Sequence, residues 1–353
     1  MKIGKVREEI DSIDSQILDL LTLRGKKVLE IARLKSISGK GYYAPDREKF
    51  ILERLFKKNK GPIPKDGLKA VYREILSSCR NIEAPLKVAY LGPEGSFTHL
   101  AAMEKFGSSM ELIPASDIAE VFTAVEKDEV DLGVVPVENS SEGVVTYTLD
   151  ILVDSHLKII DEIMQEIAHY LASLENDIHR VKKIYSHPQA LGQTRLWLRN
   201  NLPGVKVVEV DSTSEAARLA SLEKGSGAIT GKLAAKMYGL NTLRAHIEDL
   251  AHNYTRFLVI GKEGAKRTGK DKTSIIFSVK DKPGALYHCL AAFAQGNINL
   301  TKIESRPSKK KAWDYIFFID MEGHIDDSRI KKALDQLEKM CVYLKVLGSY
   351  PRQ

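Results

Sequence analysis

Residues 131–148, DLGVVPVENSSEGVVTYT, decide how this chain folds. Leu132 to Val137 form an uncharged, β-branched run, which reads as a strand buried on both faces of a parallel sheet. The run stops at Glu138. Asn139, Ser140, Ser141, Glu142 and Gly143 follow, and then Val144, Val145, Leu149, Leu152 and Val153 recur at helical spacing. A polar loop between the carboxyl end of a strand and a helix is where open α/β sheets bind ligands. A single loop of this kind serves equally well as an ordinary connection with capping serines. Similar loops recur nearby, and the repetition favours a site.

Pro85 ends the segment before, and KVAYL (87–91) opens an alternating α/β pattern. The loops of that pattern are GPEGSFTH (92–99), VENSSEG (137–143), SHPQALGQ (186–193), DSTSEAA (211–217) and TGKLAA (230–235). Ser212 with Glu215 makes a capping box. Helix N-termini with small hydroxyl side chains receive carboxylates well, so the loops together predict an anion-binding cleft. GPEGSF fits neither a phosphate-binding Walker loop nor a dinucleotide fingerprint, and no nucleotide cofactor is expected. His99 and His187 sit in loops, where capping or packing accounts for them as readily as catalysis. The last piece, AHNYTRFLVIGK (251–262), sets Thr255 beside Arg256 just ahead of a buried strand.

With 353 residues, 43% of them hydrophobic, the chain has material for two or three domains. No run reaches the length of a membrane span and the start has no apolar signal core, so a cytoplasmic protein is expected. Cys79, Cys289 and Cys341 lie far apart, which fits reduced thiols and gives no metal-ligand spacing. The formal charge of +6 is uneven: residues 1–84 hold 19 Lys and Arg against 12 acids, the whole excess. Those cations are scattered and few aromatics lie between them, which argues against nucleic acid.

Apolar positions from Ile3 to Leu34 alternate steps of three and four, predicting one long helix over 3–37 that needs a partner along its seam. Two more helices are expected at 45–58 and 65–83. Arg24 and Lys35 fall on or beside the seam, where a buried charge needs a counter-charge. An acid such as Asp46 or Glu48 supplies it, or an anionic ligand does. Arg24 and Lys35 are roughly 16 Å apart along the helix and can lean toward one ligand, whereas Arg7 lies roughly 25 Å before Arg24 and serves the same site only from a second chain.

Arg7, Arg24, Lys35, Arg47 and Glu48 on this three-helix pattern resemble the all-helical chorismate mutases. That resemblance implies an intertwined dimer whose first helix lends its early arginine to the partner. It also implies a pericyclic rearrangement that needs only a compact conformer and stabilised charge on the ether oxygen. Arg7 and Arg24 would take the carboxylates, Lys35 would donate to the ether oxygen and Glu48 would accept from the ring hydroxyl, with Arg47 beside it. Cys79 and Glu83 match the last site positions. Glu83 stands where some members carry Gln, and Ala44 where some carry an acid. A carboxylate donates only when protonated, so a mutase rate that falls as pH rises is expected from Glu83.

GPEGSF, VPVENSSEG, SHPQALGQ, DSTSEAA and NYTRF resemble prephenate dehydratases, in the same order. That family folds as two α/β lobes like periplasmic binding proteins. By the resemblance Thr255 is the catalytic donor to the departing hydroxyl, Arg256 anchors a carboxylate and Phe257 shapes the pocket. Glu138, Asn139, Ser140, Ser186, Gln189, Ser212 and Thr213 line it. Ser140 replaces a common Thr and keeps its hydroxyl.

After a polar linker, 264–272, the order strand, helix, strand, strand, helix, strand predicts a ferredoxin-like βαββαβ domain. Asp281 to Leu286 (DKPGAL) and Glu304 to Pro307 (ESRP) resemble the phenylalanine-binding ACT domain, which places the effector at Gly284, Ala285 and Leu286 with Glu304, Ser305, Arg306 and Pro307. The expected architecture is therefore multidomain: an all-α mutase (1–84), an α/β dehydratase (85–265) and an α+β regulatory domain (266–353). Chorismate and prephenate would be substrates, L-phenylalanine the inhibitor, and the chain at least a dimer, without cofactor, metal, nucleic acid or membrane. Two other readings are an arogenate-preferring dehydratase and a non-catalytic amino-acid sensor. A sensor has no use for the mutase cations or for Thr255, Arg256 and Phe257.

Overall fold

The computed structural model describes residues 3–38, 43–250, 253–280, 282–307 and 315–352. Ala251, His252 and Asp281, which belong to stretches quoted above, and Trp313, where the third strand of the C-terminal domain is expected to begin, lie outside the described residues.

Helix α1 (Ile3–Ser38) runs unbroken, as its seam predicts. Helix α2 (Pro45–Lys58) has Pro45 in its first turn with Asp46 and Glu48, and Lys57 and Lys58 in its last, so its charges complement the helix dipole. Helix α3 (Lys65–Glu83) packs on the second half of α1, where Ile82 lies over Gly25. The first half of α1 has no such cover. Ile10, Ile13 and Ile17 are 50%, 53% and 48% exposed, so the seam that should be buried faces outward in the single chain.

The first α/β lobe contains β1 (Lys87–Leu91), α4 (Phe97–Phe106), β2 (Glu111–Ala115), α5 (Ile118–Glu126), β3 (Leu132–Asn139), β4 (Gly143–Val144), α6 (Thr146–Asp154) and β5 (Lys158–Glu166). The chain crosses at 167–169 into a second lobe: β6 (Tyr170–Ser173), β7 (Lys183–Ser186), α7 (Pro188–Gln193), α8 (Arg195–Asn201), β8 (Lys206–Glu209), α9 (Thr213–Leu222), β9 (Ser226–Thr230), α10 (Lys232–Met237) and β10 (Asn241–Arg244). It returns to the first lobe as β11 (Tyr254–Gly261), which inserts between β3 and β5. The sheets run β2-β1-β3-β11-β5 and β10-β6-β9-β7-β8.

Strand β3 differs from its expected form. It is parallel to β1 but antiparallel to β11, and it continues past Val137 because Glu138 and Asn139 find ladder partners in Arg256 and Thr255. Val144 folds back to pair with Glu138, so the following helix begins at Thr146. A pairing partner more than a hundred residues away overrode the local pattern.

The C-terminal unit, β12 (Asp271–Ser278), α11 (Ala285–Gln295), β13 (Leu300–Pro307), β14 (Tyr315–Glu322), α12 (Ser328–Met340) and β15 (Tyr343–Pro351), is the expected βαββαβ, ordered β13-β14-β12-β15. Alternation along its strands splits the sheet into two faces. Ile275, Phe277, Phe317 and Ile319 pack with α11 and α12. Ile276, Phe318, Leu347 and Tyr350 enter one core with Val137, Leu258 and Ile260 of the first lobe.

Candidate active sites

In the helical segment both inward cations of α1 turn to α3. An Arg24 guanidinium nitrogen donates to Cys79 Sγ, and Lys35 Nζ lies 2.8 Å from Glu83 Oε1. Cys79 and Glu83 are one turn apart on one face. From α2, Glu48 meets Arg80 Nε at 3.3 Å. Burial pushes the Glu48 carboxyl up, against the pull of Arg80 and Lys105. Arg24, Lys35, Glu48, Cys79 and Glu83 are thus brought together. Arg47 is exposed, its guanidinium over the Phe50 ring at 5.3 Å, and Arg7 is exposed at the far end of α1.

The dehydratase site is built on the β3–β11 ladder at the mouth between the lobes. Thr255 Oγ1 accepts from Asn139 Nδ2 at 2.8 Å, and the same amide donates to Asn253 Oδ1 at 2.8 Å. Asn139 Oδ1 accepts the backbone N–H groups of Ser141 and Glu142, at 2.9 and 3.0 Å, which fixes the orientation of the amide. Ser140 ties the loop to β11, its N–H donating to the Tyr254 carbonyl and its Oγ accepting from the Tyr254 N–H.

From the second lobe Gln193 completes the network. Its Oε1 accepts from Asn253 Nδ2 at 3.0 Å and from His169 Nε2 at 2.7 Å, and its Nε2 donates to Glu142. Burial lowers the pKa of His169 and keeps the ring neutral. Sequence reading missed this network: Gln193 and Asn253 stand inside quoted motifs with no role assigned, and no sequence signal marks His169.

The other expected residues of the second lobe hold local structure. Ser212 caps α9 by accepting from the Glu215 N–H at 2.9 Å, while the Glu215 side chain turns to Arg218 instead of closing the box. Ser186 donates to the Ile229 carbonyl, and the Thr213 carbonyl accepts from Thr230. Gln189 is exposed at the start of α7, where His187 Nδ1 accepts its N–H. His99, expected in a loop, lies in the first turn of α4, and its Nδ1 accepts the Gly95 N–H, so both histidines hold the start of a helix. Gly95, at φ +80°, presses against Ser214 and Ala234 of the second lobe, and Ser214 donates to the Glu94 carbonyl. A cavity of about 290 Å³ lies between the lobes, lined in part by Phe97, Gln165, Tyr170, Lys232, Lys236 and His246. Gln165 is the cross-strand neighbour of Thr255.

Three expected assignments change. Side chains alternate along a strand, so Arg256 cannot share the face of Thr255. It points to the rear, where Nε donates to Glu162 at 2.8 Å and the two terminal nitrogens donate to Asp320 at 2.5 Å and to the Tyr350 hydroxyl at 2.8 Å. Burial works against its charge, yet Tyr350, Asp320 and Glu162 together hold its pKa above the ordinary value. Arg256 is therefore no carboxylate anchor in this arrangement. Glu138, its ladder partner, also faces the rear and meets Lys302 Nζ at 2.8 Å instead of lining the cleft. Phe257 shares the face of Thr255 but is buried in the core with Tyr90 and Ile163.

In the C-terminal unit Gly284 takes the left-handed conformation, φ +80°, that starts α11, and Ala285 and Leu286 lie on that helix. Strand β13 divides its motif. Ser305 pairs with Phe317, on the helix-facing side, while Glu304 and Arg306 pair with Phe318 and Ile316, on the side facing the first lobe. Arg306 lies 3.5 Å from Asp150 of α6. Pro307 ends the strand. Within one chain, then, Glu304 and Arg306 are not gathered with Gly284–Leu286. Among the described residues no cluster could hold a metal, and no helix is long and apolar enough to cross a membrane.

A helical unit with inward cations, a two-lobed α/β unit with a hydroxyl-amide pair at its mouth and a ferredoxin-like sheet define a multidomain enzyme acting on small carboxylates. Family models match in that order: chorismate mutase type II over residues 6–84, prephenate dehydratase over 88–265 and ACT domain over 273–339. The bifunctional chorismate mutase/prephenate dehydratase of Aquifex aeolicus is 50% identical over 99% of this chain and 98% of its own length. Arogenate dehydratase 2 of Petunia hybrida is 38% identical over 78% of this chain and 74% of its own. The crystal structure of prephenate dehydratase from Arthrobacter aurescens in complex with L-Phe superposes with a TM-score of 0.70 at 36% identity, covering 76% of this chain and 90% of that one. The chain belongs to the bifunctional chorismate mutase/prephenate dehydratase family.

Proposed function

We propose that residues 1–84 rearrange chorismate to prephenate, that residues 85–265 convert prephenate to phenylpyruvate, and that residues 266–353 bind L-phenylalanine as an inhibitor. The observation that carries the dehydratase reading is the hydrogen bond from Asn139 to Thr255 at the mouth between the lobes. Because Thr255 accepts from Asn139, its own proton is left to be given to the departing ring hydroxyl. As the ring carboxylate leaves as carbon dioxide, its electron pair enters the ring and expels that hydroxyl as water. Lys232 and Lys236 on the cavity wall are suited to the substrate carboxylates.

In the mutase, Lys35 serves the ether oxygen and Arg24 a carboxylate, with Glu48 on the ring hydroxyl and Glu83 and Cys79 beside them. The uncovered seam of α1 supports a dimer in which Arg7 of each chain completes the site of the other. One assay tests the reading. Chorismate is added to pure protein and phenylpyruvate is followed, with and without phenylalanine. Accumulation of prephenate without phenylpyruvate would remove the dehydratase assignment, and faster turnover of arogenate than of prephenate would replace the substrate.

A further inference from the structure

Directly behind the Thr255–Asn139 pair, on the opposite face of the same two strands, stands the ladder pair Arg256–Glu138. Each of its members is bonded to the C-terminal sheet, and together they reach all four strands of it. Arg256 donates to Asp320 on β14 and to Tyr350 on β15; the Tyr350 hydroxyl is 2.6 Å from Ser274 Oγ on β12, and Ser274 donates back to Asp320. That is a closed ring of four buried groups. Glu138 meets Lys302 on β13. Immediately after Arg256 the ladder slips, Phe257 pairing with Pro136 and leaving Val137 as an extra residue in β3. Bulges of this kind let a strand bend and re-aim a neighbouring side chain.

We propose that Arg256 and Glu138 are positioning residues which hold Thr255 and Asn139 in place from behind and carry the state of the C-terminal sheet to them. This rests on the dehydratase reading given above. A shift of that sheet against β11 must either break the ring, stranding a buried charge, or pull Arg256 with it. Adjacent Cα atoms are about 3.8 Å apart, so a pull on Arg256 moves the Thr255 hydroxyl directly. The bulge supplies the slack for that movement, and phenylalanine bound to the sheet would act by the same route.

The test follows prephenate turnover by the full chain carrying Asp320→Asn, Lys302→Met, Lys302→Arg or Arg256→Lys. Asp320→Asn and Arg256→Lys should lower kcat for dehydration about tenfold, with KM within about twofold of wild type and mutase activity unchanged. Both should still bind phenylalanine in calorimetry while losing most of its effect on kcat. Lys302→Met should do the same more weakly, and Lys302→Arg should restore wild-type behaviour. Should Asp320→Asn fail to fold, the Lys302 pair, at the rim of the interface, carries the test alone. A tenfold rise in KM with unchanged kcat in Arg256→Lys would make Arg256 a substrate anchor and overturn the proposal. So would wild-type kcat and inhibition in both Asp320→Asn and Lys302→Met. A wild-type chain that does not turn prephenate over would instead overturn the dehydratase reading itself.

Discussion

Thr255 accepts a hydrogen bond from an amide that has no other role for that proton, and the direction of the bond leaves the threonine as a donor. Thr255→Ala should cut phenylpyruvate formation by at least about a hundredfold while chorismate is still consumed, so that prephenate accumulates. Undiminished phenylpyruvate from this variant would take Thr255 out of the chemistry. His169 makes a second prediction. Its pKa is lowered by burial below 6.5, so the unfolded chain binds a proton that the folded chain refuses as pH falls through that value. Stability should therefore be full above about pH 6.5 and decline below it. The decline should be shallower in His169→Gln, as read from melting temperatures between pH 7.5 and 5. Equal slopes for the two proteins would mean that His169 does not control it. At this scale the sequence groups Thr255, Asn139, Arg256 and Glu138 in one pocket, whereas the structure joins Thr255 to Asn139 on one face of the ladder and sets Arg256 and Glu138 on the other. Strand period alone forbids adjacent residues from facing one ligand, yet which of the two faces looks into the cleft depends on where the C-terminal sheet packs.

Helices α2 and α3 coincide with their sequence reading because proline, dipole-matched charges and a turn at 59–64 mark their ends. The β3–β4 region was less legible, since Glu138 and Asn139 are strand only by virtue of β11. Helix α1 carries its own prediction. At 36 residues it spans about 54 Å, far more than α3 can cover, and Arg7 sits at the uncovered end. Mixing Arg7→Ala protein with Lys35→Ala protein, each inactive as a mutase, should restore part of the activity, because one of the two sites in a hybrid dimer collects neither lesion. Subunit exchange seen by mass spectrometry without returning activity would confine Arg7 to its own chain.

Three units follow one another along the chain, but their cores do not divide at the same places. The helical segment meets the first lobe through polar contacts, such as Arg80 to the Phe106 carbonyl, Tyr43 to Asp161 and Ser108 to Glu74, and through the Tyr43 ring on Phe106. The first lobe and the C-terminal sheet share one hydrophobic core. Amides of β12 and β15 should therefore exchange with solvent at the same opening free energy as those of β11, while α1 opens separately at a lower one. Earlier exchange in β12 and β15 than in β11 would contradict a shared core. The linker at 264–270 looks like a domain boundary because it is polar and aperiodic, and sequence has no means of showing that the two surfaces it joins are pressed together. A chain cut there would bare Val137, Leu258 and Ile260 beside an Arg256 left with Glu162 but stripped of Asp320 and Tyr350, a surface prone to aggregate, whereas a cut near Pro85 would bare polar groups and the Phe106 ring. For a chain of this build, shedding its regulator is thus a problem of solubility before it is one of control.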